Sequence, residues 1–206
     1  MPSPTPITSV AIVPAAGRSA RMGEHKLLLR WGEGTVIEAV LAAWRASGVS
    51  KTIVVVRADD RALIDVCLRA GAEVVEADPP PPDMKASVGC GLSHLQALSR
   101  HARPDVWLLA PADMPTLDPA VIDRLLARWH ERPGEIFVPI HDGRRGHPLL
   151  LSWSIAKEIP ALGTDEGINA LLARHELQQI ECPATATPAD LDTPDNYRRL
   201  KDRYDR

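Results

Sequence analysis

Residues 9–26 read SVAIVPAAGRSARMGEHK, an apolar run that opens into a loop of small and basic residues. The run at 9–14 (SVAIVP) suits a buried strand. In the loop, Ala15, Ala16 and Gly17 leave backbone amides uncovered, so an anion can approach them closely. Arg18, Arg21 and Lys26 add three positive charges within nine residues. Backbone donors combined with cations are what a polyphosphate requires. Gly17 and Gly23 are six apart with no Gly-Lys-Ser/Thr after them, so the loop is not a Walker motif. Nor does it carry the Gly-x-Gly-x-x-Gly dinucleotide fingerprint. Taken alone, the loop also admits a plainer reading, a turn with solvated arginines.

Working outward, strand and helix signals alternate. Thr35-Val-Ile-Glu38 has the form of a capping box, and Ile37, Val40, Leu41 and Trp44 recur at helical spacing before a stop at Gly48. Residues 53–56 (IVVV) predict a buried strand, Asp60 to Ala70 a helix ending at Gly71, and 73–77 (EVVEA) another strand. Four prolines at 79–82 make a stiff connector, after which a helix is expected from about Ser87. Residues 106–110 (VWLLA) read as a strand, and Asp118-Pro119 as a cap with proline at the first helical position. Pro133-Gly134 turns the chain into a strand at 136–140 (IFVPI). The pattern then loosens: a polar stretch at 141–148, a short strand at 149–151, helices near 153–159 and 166–175, a strand at 177–182, a loop and a charged helical tail. This alternation predicts an α/β fold, a mostly parallel sheet with helices on both faces, in one domain covering residues 1–206. In such sheets ligands bind beyond the carboxyl ends of the strands. A site is therefore expected among the loops after 9–14, 73–77, 106–110 and 136–140.

Composition excludes several classes. The net charge is -3, so no global basic field attracts nucleic acid. Five of the eight aromatics are Trp, which argues against a base-stacking nucleic-acid platform. Cys67, Cys90 and Cys182 are odd in number and form no Cys-x-x-Cys pair, so neither a disulfide framework nor a zinc knuckle is expected. No run of about 18 apolar residues predicts a membrane span. Residues 1–9 (MPSPTPITS) lack the basic and apolar regions of a signal peptide, so a cytoplasmic location is expected.

The loop as a whole resembles the signature of the molybdenum-cofactor nucleotidyltransferases, (Leu/Pro)-Ala-(Ala/Gly)-Gly-x-Ser-x-Arg-Met-Gly-x-x-Lys. Ala15, Ala16, Gly17, Ser19, Arg21, Met22, Gly23 and Lys26 match it, and the Leu27-Leu28-Leu29 that follows is similar to the molybdopterin cytidylyltransferase branch. The resemblance runs from residue 10 to about 197. It implies the three-layer, Rossmann-like nucleotide-diphospho-sugar transferase fold, with Ala15, Ala16, Gly17, Arg18, Ser19 and Lys26 on the nucleotide. Two acids fit the family's metal positions. Asp113 stands in Pro111-Ala-Asp-Met-Pro115, and Asp192 in Asp190-Leu-Asp-Thr-Pro194. Each, read alone, is a turn or cap aspartate. Magnesium takes few carboxylates together with phosphate oxygens and water, and the resemblance implies Mg²⁺ at Asp113 and Asp192.

Residues 83–92 (DMKASVGCGL) are similar to a family segment in which a serine near a helix start touches the nucleotide. Met84, Ser87, Gly91 and Leu92 align, whereas Asp83 and Lys85 depart from it. Ser87 is thus a nucleotide candidate, or a helix cap only. Lys85 is a solvated charge or a cation for a substrate phosphate. Gly143-Arg-Arg-Gly-His-Pro148 resembles a Gly-x-x-Gly-His-Pro segment near the second substrate of the cytidylyltransferase branch, which makes Arg145 and His147 substrate-binding candidates. Near 164–172 the family's arginine is replaced by Asn169.

The reaction implied is transfer of a nucleotide to a substrate phosphate with release of pyrophosphate. Arg18, Lys26 and Asp113 are its catalytic candidates, acting by positioning and charge stabilisation. Ala-Ala-Gly at 15–17 is typical of the cytidine branch, which points to CTP, with molybdopterin already carrying molybdenum as acceptor. A molybdoenzyme partner is among what the family implies. Two other readings stay open. One is a nucleotidyltransferase for another phosphorylated small molecule, a sugar phosphate or an isoprenoid precursor. The opening Ala-Ile-Val-Pro-Ala-Ala-Gly also resembles methylerythritol-phosphate cytidylyltransferases, although His25 stands where they place proline before the lysine. The other is a non-catalytic nucleotide- or cofactor-binding chaperone.

Overall fold

A computed structural model describes residues 7–18, 25–99, 103–187, 191 and 193–204. The first strand, β1 (Ser9–Pro14), is buried along nearly its whole length. After a 3-10 turn at Lys26–Leu28, two short strands, β2 (Arg30–Trp31) and β3 (Gly34–Thr35), form a hairpin. Helix α1 (Val36–Ala46) starts at the expected capping box: Thr35 accepts from the Glu38 amide, and the Glu38 carboxylate accepts from the Thr35 amide. Strand β4 (Lys51–Arg57), helix α2 (Arg61–Arg69) and strand β5 (Glu73–Ala77) follow.

Helix α3 (Met84–Ala97) begins three residues before the Ser87 start expected from the sequence. Its N-cap is Asp83, whose carboxylate accepts the Ala86 amide at 2.7 Å. Ser87 is therefore inside the first turn and caps nothing. Its hydroxyl donates to the Asp83 carbonyl at 3.1 Å. Strand β6 (Val106–Leu109), helix α4 (Pro119–Glu131, capped by Asp118) and strand β7 (Ile136–His141) complete the regular part. A tight turn at Asp142-Gly143 leads to β8 (Arg144–Arg145), then β9 (Leu149–Ser152), a 3-10 segment (Trp153–Ala161), α5 (Ile168–Ala173), β10 (Leu177–Glu181) and α6 (Pro194–Tyr204).

Eight strands make the main sheet in the order β10-β7-β9-β6-β1-β4-β5, with β8 paired to β7. All run parallel except β9 and β8. Strand alternation sorts the core into two layers. Ala11, Val13, Val54, Val56, Val106 and Leu108 face α1, α2 and α4. Val10, Ile12, Ile53, Val55, Trp107 and Leu109 face α3, α5 and the 3-10 segment. Helix α3 lies close to the sheet because Gly91 faces it. A Cβ there would sit 3.0 Å from Ile12 Cγ2 and 3.3 Å from Val55 Cγ2. That packing carries the first turn of α3 to the carboxyl ends of β1 and β4. Helix α6 rests on the β2–β3 hairpin, where Tyr197 Oη donates to the Arg30 carbonyl and the Tyr204 ring lies 4.9 Å from that of Trp31. Among the described residues, no helix is long and apolar enough to cross a membrane.

Candidate nucleotide and acceptor clefts

The loops at the carboxyl ends of the strands enclose two adjoining clefts. The first, about 470 Å³, is lined by residues 14–18, by Lys26 and Leu27, by Arg57, by Pro80–Ser87 in part, and by Pro111–Asp113. Ala15, Ala16, Gly17, Arg18, Lys26, Ser87 and Asp113 thus converge on one cavity, although up to 98 positions separate them in sequence. One expectation needs correction. The Ala15 amide is not open to a ligand, because it extends the sheet by donating to the Val55 carbonyl at 2.9 Å. The amides of Ala16 and Gly17 make no backbone hydrogen bond among the described residues. A Cβ built on Gly17 would meet no atom within 4 Å, so the missing side chain keeps the cleft itself clear.

Lys26 reaches across the cleft, its Nζ donating to Asp113 Oδ2 at 2.5 Å, with each side chain about one-fifth exposed. Asp113 is fixed by its neighbours, since Ala112 and Met114 are buried in the core. Lys26 is fixed through His25. The His25 carbonyl accepts the Leu28 amide at 2.9 Å, closing the 3-10 turn, and its Nε2 pairs with Asp60 Oδ2 at 2.6 Å. Asp60 also caps α2 by accepting the Leu63 amide. Ser19 and Asp192 lie outside the described residues. The chain on either side of Asp192 is anchored: Leu191 is fully buried, and α6 begins at Pro194.

The second cleft, about 590 Å³, is lined by Lys85, Arg145 and His147, the three acceptor-side candidates, together with residues 164–169. It shares Asp83, Met84 and Pro111 with the first, so one thin wall separates the two. Lys85 Nζ donates to the carbonyls of Gly163 (2.6 Å) and Thr164 (3.3 Å), which ties the 163–166 loop to the start of α3. Glu166 in that loop is held below the usual carboxylate range, first by the Gly163 amide and then by Arg174. His147 is positioned by the close approach of Gly146 to residue 186. The His147 amide donates to the Ala186 carbonyl at 2.9 Å, and a Cβ on Gly146 would lie 1.9 Å from that same oxygen.

Sequence reasoning missed Arg57, which ends β4 and lines the first cleft. Its Nε donates to Asp59 Oδ1 at 2.8 Å, and its Nη2 lies 3.9 Å from Asp60 Oδ2. The Arg57 hydrogen bond holds the Asp59 carboxyl below its usual range, with the charges of Arg57 and Arg18 adding to it. The only signal in the sequence was an arginine closing a run of buried valines.

Among the described residues, no group of three or more His, Cys, Asp or Glu side chains could hold a metal ion. A hard divalent cation needs only one or two carboxylates, its shell being completed by phosphate oxygens and water. Asp113 already has a cation beside it, the Lys26 ammonium.

A mostly parallel sheet with two clefts at its carboxyl edge, the first floored by the β1 loop, defines a Rossmann-like nucleotidyltransferase. The profile of the MobA-like NTP transferase domain matches residues 11–180, and the chain belongs to that family. The resemblance read from the loop signature is borne out. The molybdenum cofactor cytidylyltransferase of Escherichia coli K12 is 25% identical over 193 residues, covering 94% of this chain and 95% of that protein. A probable molybdenum cofactor guanylyltransferase of Mycobacterium avium is 30% identical over 196 residues, covering 92% and 93%. Among solved structures, Rv0371c of Mycobacterium tuberculosis H37Rv superposes with a TM-score of 0.79 at 27% identity, covering 96% of this chain and 100% of that one. Rv0371c has also been solved in complex with manganese.

Proposed function

We propose that this protein transfers CMP from CTP to the phosphate of a molybdopterin-type acceptor carrying molybdenum, and releases pyrophosphate. The observation that carries the reading is the shared wall: a cleft holding Lys26 and Asp113 adjoins one holding Lys85, Arg145 and His147. A triphosphate in the first cleft and an anionic acceptor in the second meet at Met84 and Pro111. An acceptor phosphate oxygen attacks the α-phosphorus, and the bond from that phosphorus to the bridging oxygen of pyrophosphate breaks. Pyrophosphate leaves with the electron pair, so no covalent intermediate on the protein is required.

Each side chain then has a role in binding or charge placement. The Ala16 and Gly17 amides and the Arg18 guanidinium hold the polyphosphate. Lys26 shifts from Asp113 to a phosphate oxygen and neutralises charge as the leaving group departs. Ser87 keeps an acceptor lone pair for the nucleotide while donating to Asp83. Arg145 and His147, with Lys85 behind them, orient the acceptor. Asp113 and Asp192 are the residues that would hold Mg²⁺ or Mn²⁺, which supplies Lewis-acid stabilisation of the phosphoryl oxygens when bound.

The manganese complex of Rv0371c supports a divalent ion. The Ala15-Ala16-Gly17 loop and the likeness to the E. coli cytidylyltransferase support cytidine. The 30% identity to the M. avium protein favours a second reading, GTP in place of CTP. The test measures pyrophosphate release with each of the four triphosphates, with no acceptor, with molybdenum-loaded molybdopterin or with a sugar phosphate, in Mg²⁺ and in Mn²⁺. Acceptor-dependent release with CTP is expected. Release with GTP alone moves the protein to the guanylyl reading. Release only with a sugar phosphate as acceptor, or binding without turnover, overturns the proposal.

A further inference from the structure

We infer that Arg57 reads the nucleobase, an inference that rests on the nucleotide reading of the first cleft and extends it to specificity. β6, β1, β4 and β5 are consecutive in the sheet. Asp113 follows β6 at one end of the cleft; Arg57 ends β4 and Pro80–Pro82 follow β5 at the other. Two strand spacings separate β6 from β4, about 10 Å. A triphosphate anchored between the β1 loop and Asp113 therefore directs its base over the ends of β4 and β5.

Three features of Arg57 suit it to that place. Alternation along β4 sets it on the face of Ile53 and Val55, the face covered by α3. It thus stands on the side of the sheet where Ser87 lines the cleft from the first turn of α3. Its side chain is only 17% exposed, and Asp59 takes its Nε at 2.8 Å. The guanidinium plane is thereby set before any ligand arrives. The remaining N–H groups at the Nη atoms are donors only. A donor-only fork selects a base edge that presents acceptors, O2 and N3 of cytosine or O6 and N7 of guanine, over one that presents an amino group. Asp60 couples the two ends of the cleft. It lies 3.9 Å from Arg57 Nη2 and 2.6 Å from His25, the residue before Lys26.

The test compares CTP with ribose 5-triphosphate, which has the same phosphates and sugar without a base. Binding of both is measured by calorimetry in Mn²⁺ for the wild type, Arg57→Met and Arg57→Lys, with thermal melts to confirm folding. Arg57→Met is expected to weaken CTP by about tenfold or more, as for the loss of a charge-assisted hydrogen bond, and to leave ribose 5-triphosphate unchanged. Arg57→Lys is expected to recover only part, since an ammonium cannot reproduce the fork. Equal losses for both ligands would put Arg57 on the phosphates or the sugar and overturn the inference. So would no loss for either. If the wild type bound neither ligand, the nucleotide reading itself would fail, which separates the two failures.

Discussion

Asp113→Asn is the substitution that most sharply separates chemistry from folding in this protein. The carboxylate lies 2.5 Å from Lys26 Nζ, and both side chains are about one-fifth exposed. Ion pairs of that exposure contribute about 1 kcal/mol or less. Buried Ala112 and Met114 hold the loop backbone whatever residue stands between them. The variant should therefore lose at most about 1 kcal/mol of stability, a shift in Tm of about 2–4 °C for a chain of this size. Turnover should suffer far more. If Asp113 holds the divalent ion against the phosphates, as proposed, its loss should cost about 100- to 1,000-fold in kcat, or roughly 3–4 kcal/mol, the usual cost of one electrostatic contact to the transition state. Binding should respond in a third way. Neutralising Asp113 removes a negative charge that repels the phosphates, so metal-free affinity for the triphosphate should hold or improve. The assay is pyrophosphate release at saturating substrates and Mg²⁺, alongside metal-free nucleotide titration and a thermal melt. A kcat within about tenfold of wild type would remove Asp113 from the chemistry, since that difference is only about 1.4 kcal/mol. A collapse in Tm would make it structural instead.

Two further outcomes follow from local packing and charge. Gly146→Ala places a Cβ 1.9 Å from the Ala186 carbonyl oxygen, where the atom in the way is backbone. A destabilisation of about 1–3 kcal/mol or more is expected by thermal unfolding, with a raised KM for the acceptor because Arg145 and His147 flank the displaced residue. His175 hydrogen-bonds Glu135 (2.9 Å) and Glu158 (2.8 Å), in that order the causes that raise its pKa above the ordinary 6.5. A folded-state pKa above the unfolded one gives stability that is complete below about pH 6.5 and is lost as pH rises through the folded value. Denaturant unfolding of the wild type minus that of His175→Gln should therefore decline as pH rises above about 6.5, and a flat difference would show that the triad does not act as an ion cluster.

What the sequence disclosed, and what it withheld, divides along physical lines. Signals confined to one element were legible. The capping box at Thr35–Glu38, the Asp118-Pro119 start and the strands at 9–14 and 73–77 depend on neighbours a few residues away, and they stand where they were expected. The start of α3 was misplaced because both Asp83 and Ser87 suit a cap, and only the fold decides which of them meets a free amide. The β2–β3 hairpin has two-residue strands, too short for any periodicity to register.

The site divides the same way. The loop signature pointed to Ala16, Gly17, Arg18 and Lys26, yet not to the loss of Ala15's amide to Val55, because that bond depends on the register of β1 against β4. Arg57 and Asp60 were invisible for a related reason. Nothing in a strand-ending arginine or a helix-capping aspartate marks it as part of a cleft until the order β6-β1-β4-β5 is known. Once it is known, Asp60 does two jobs with one carboxylate, capping α2 and receiving His25. The capping contact alone is enough to account for that aspartate. Its second contact crosses 35 positions of chain. Residues whose local role is sufficient are therefore where a sequence reading is most apt to stop early, and in this fold they tie the Lys26 turn to the far end of the cleft.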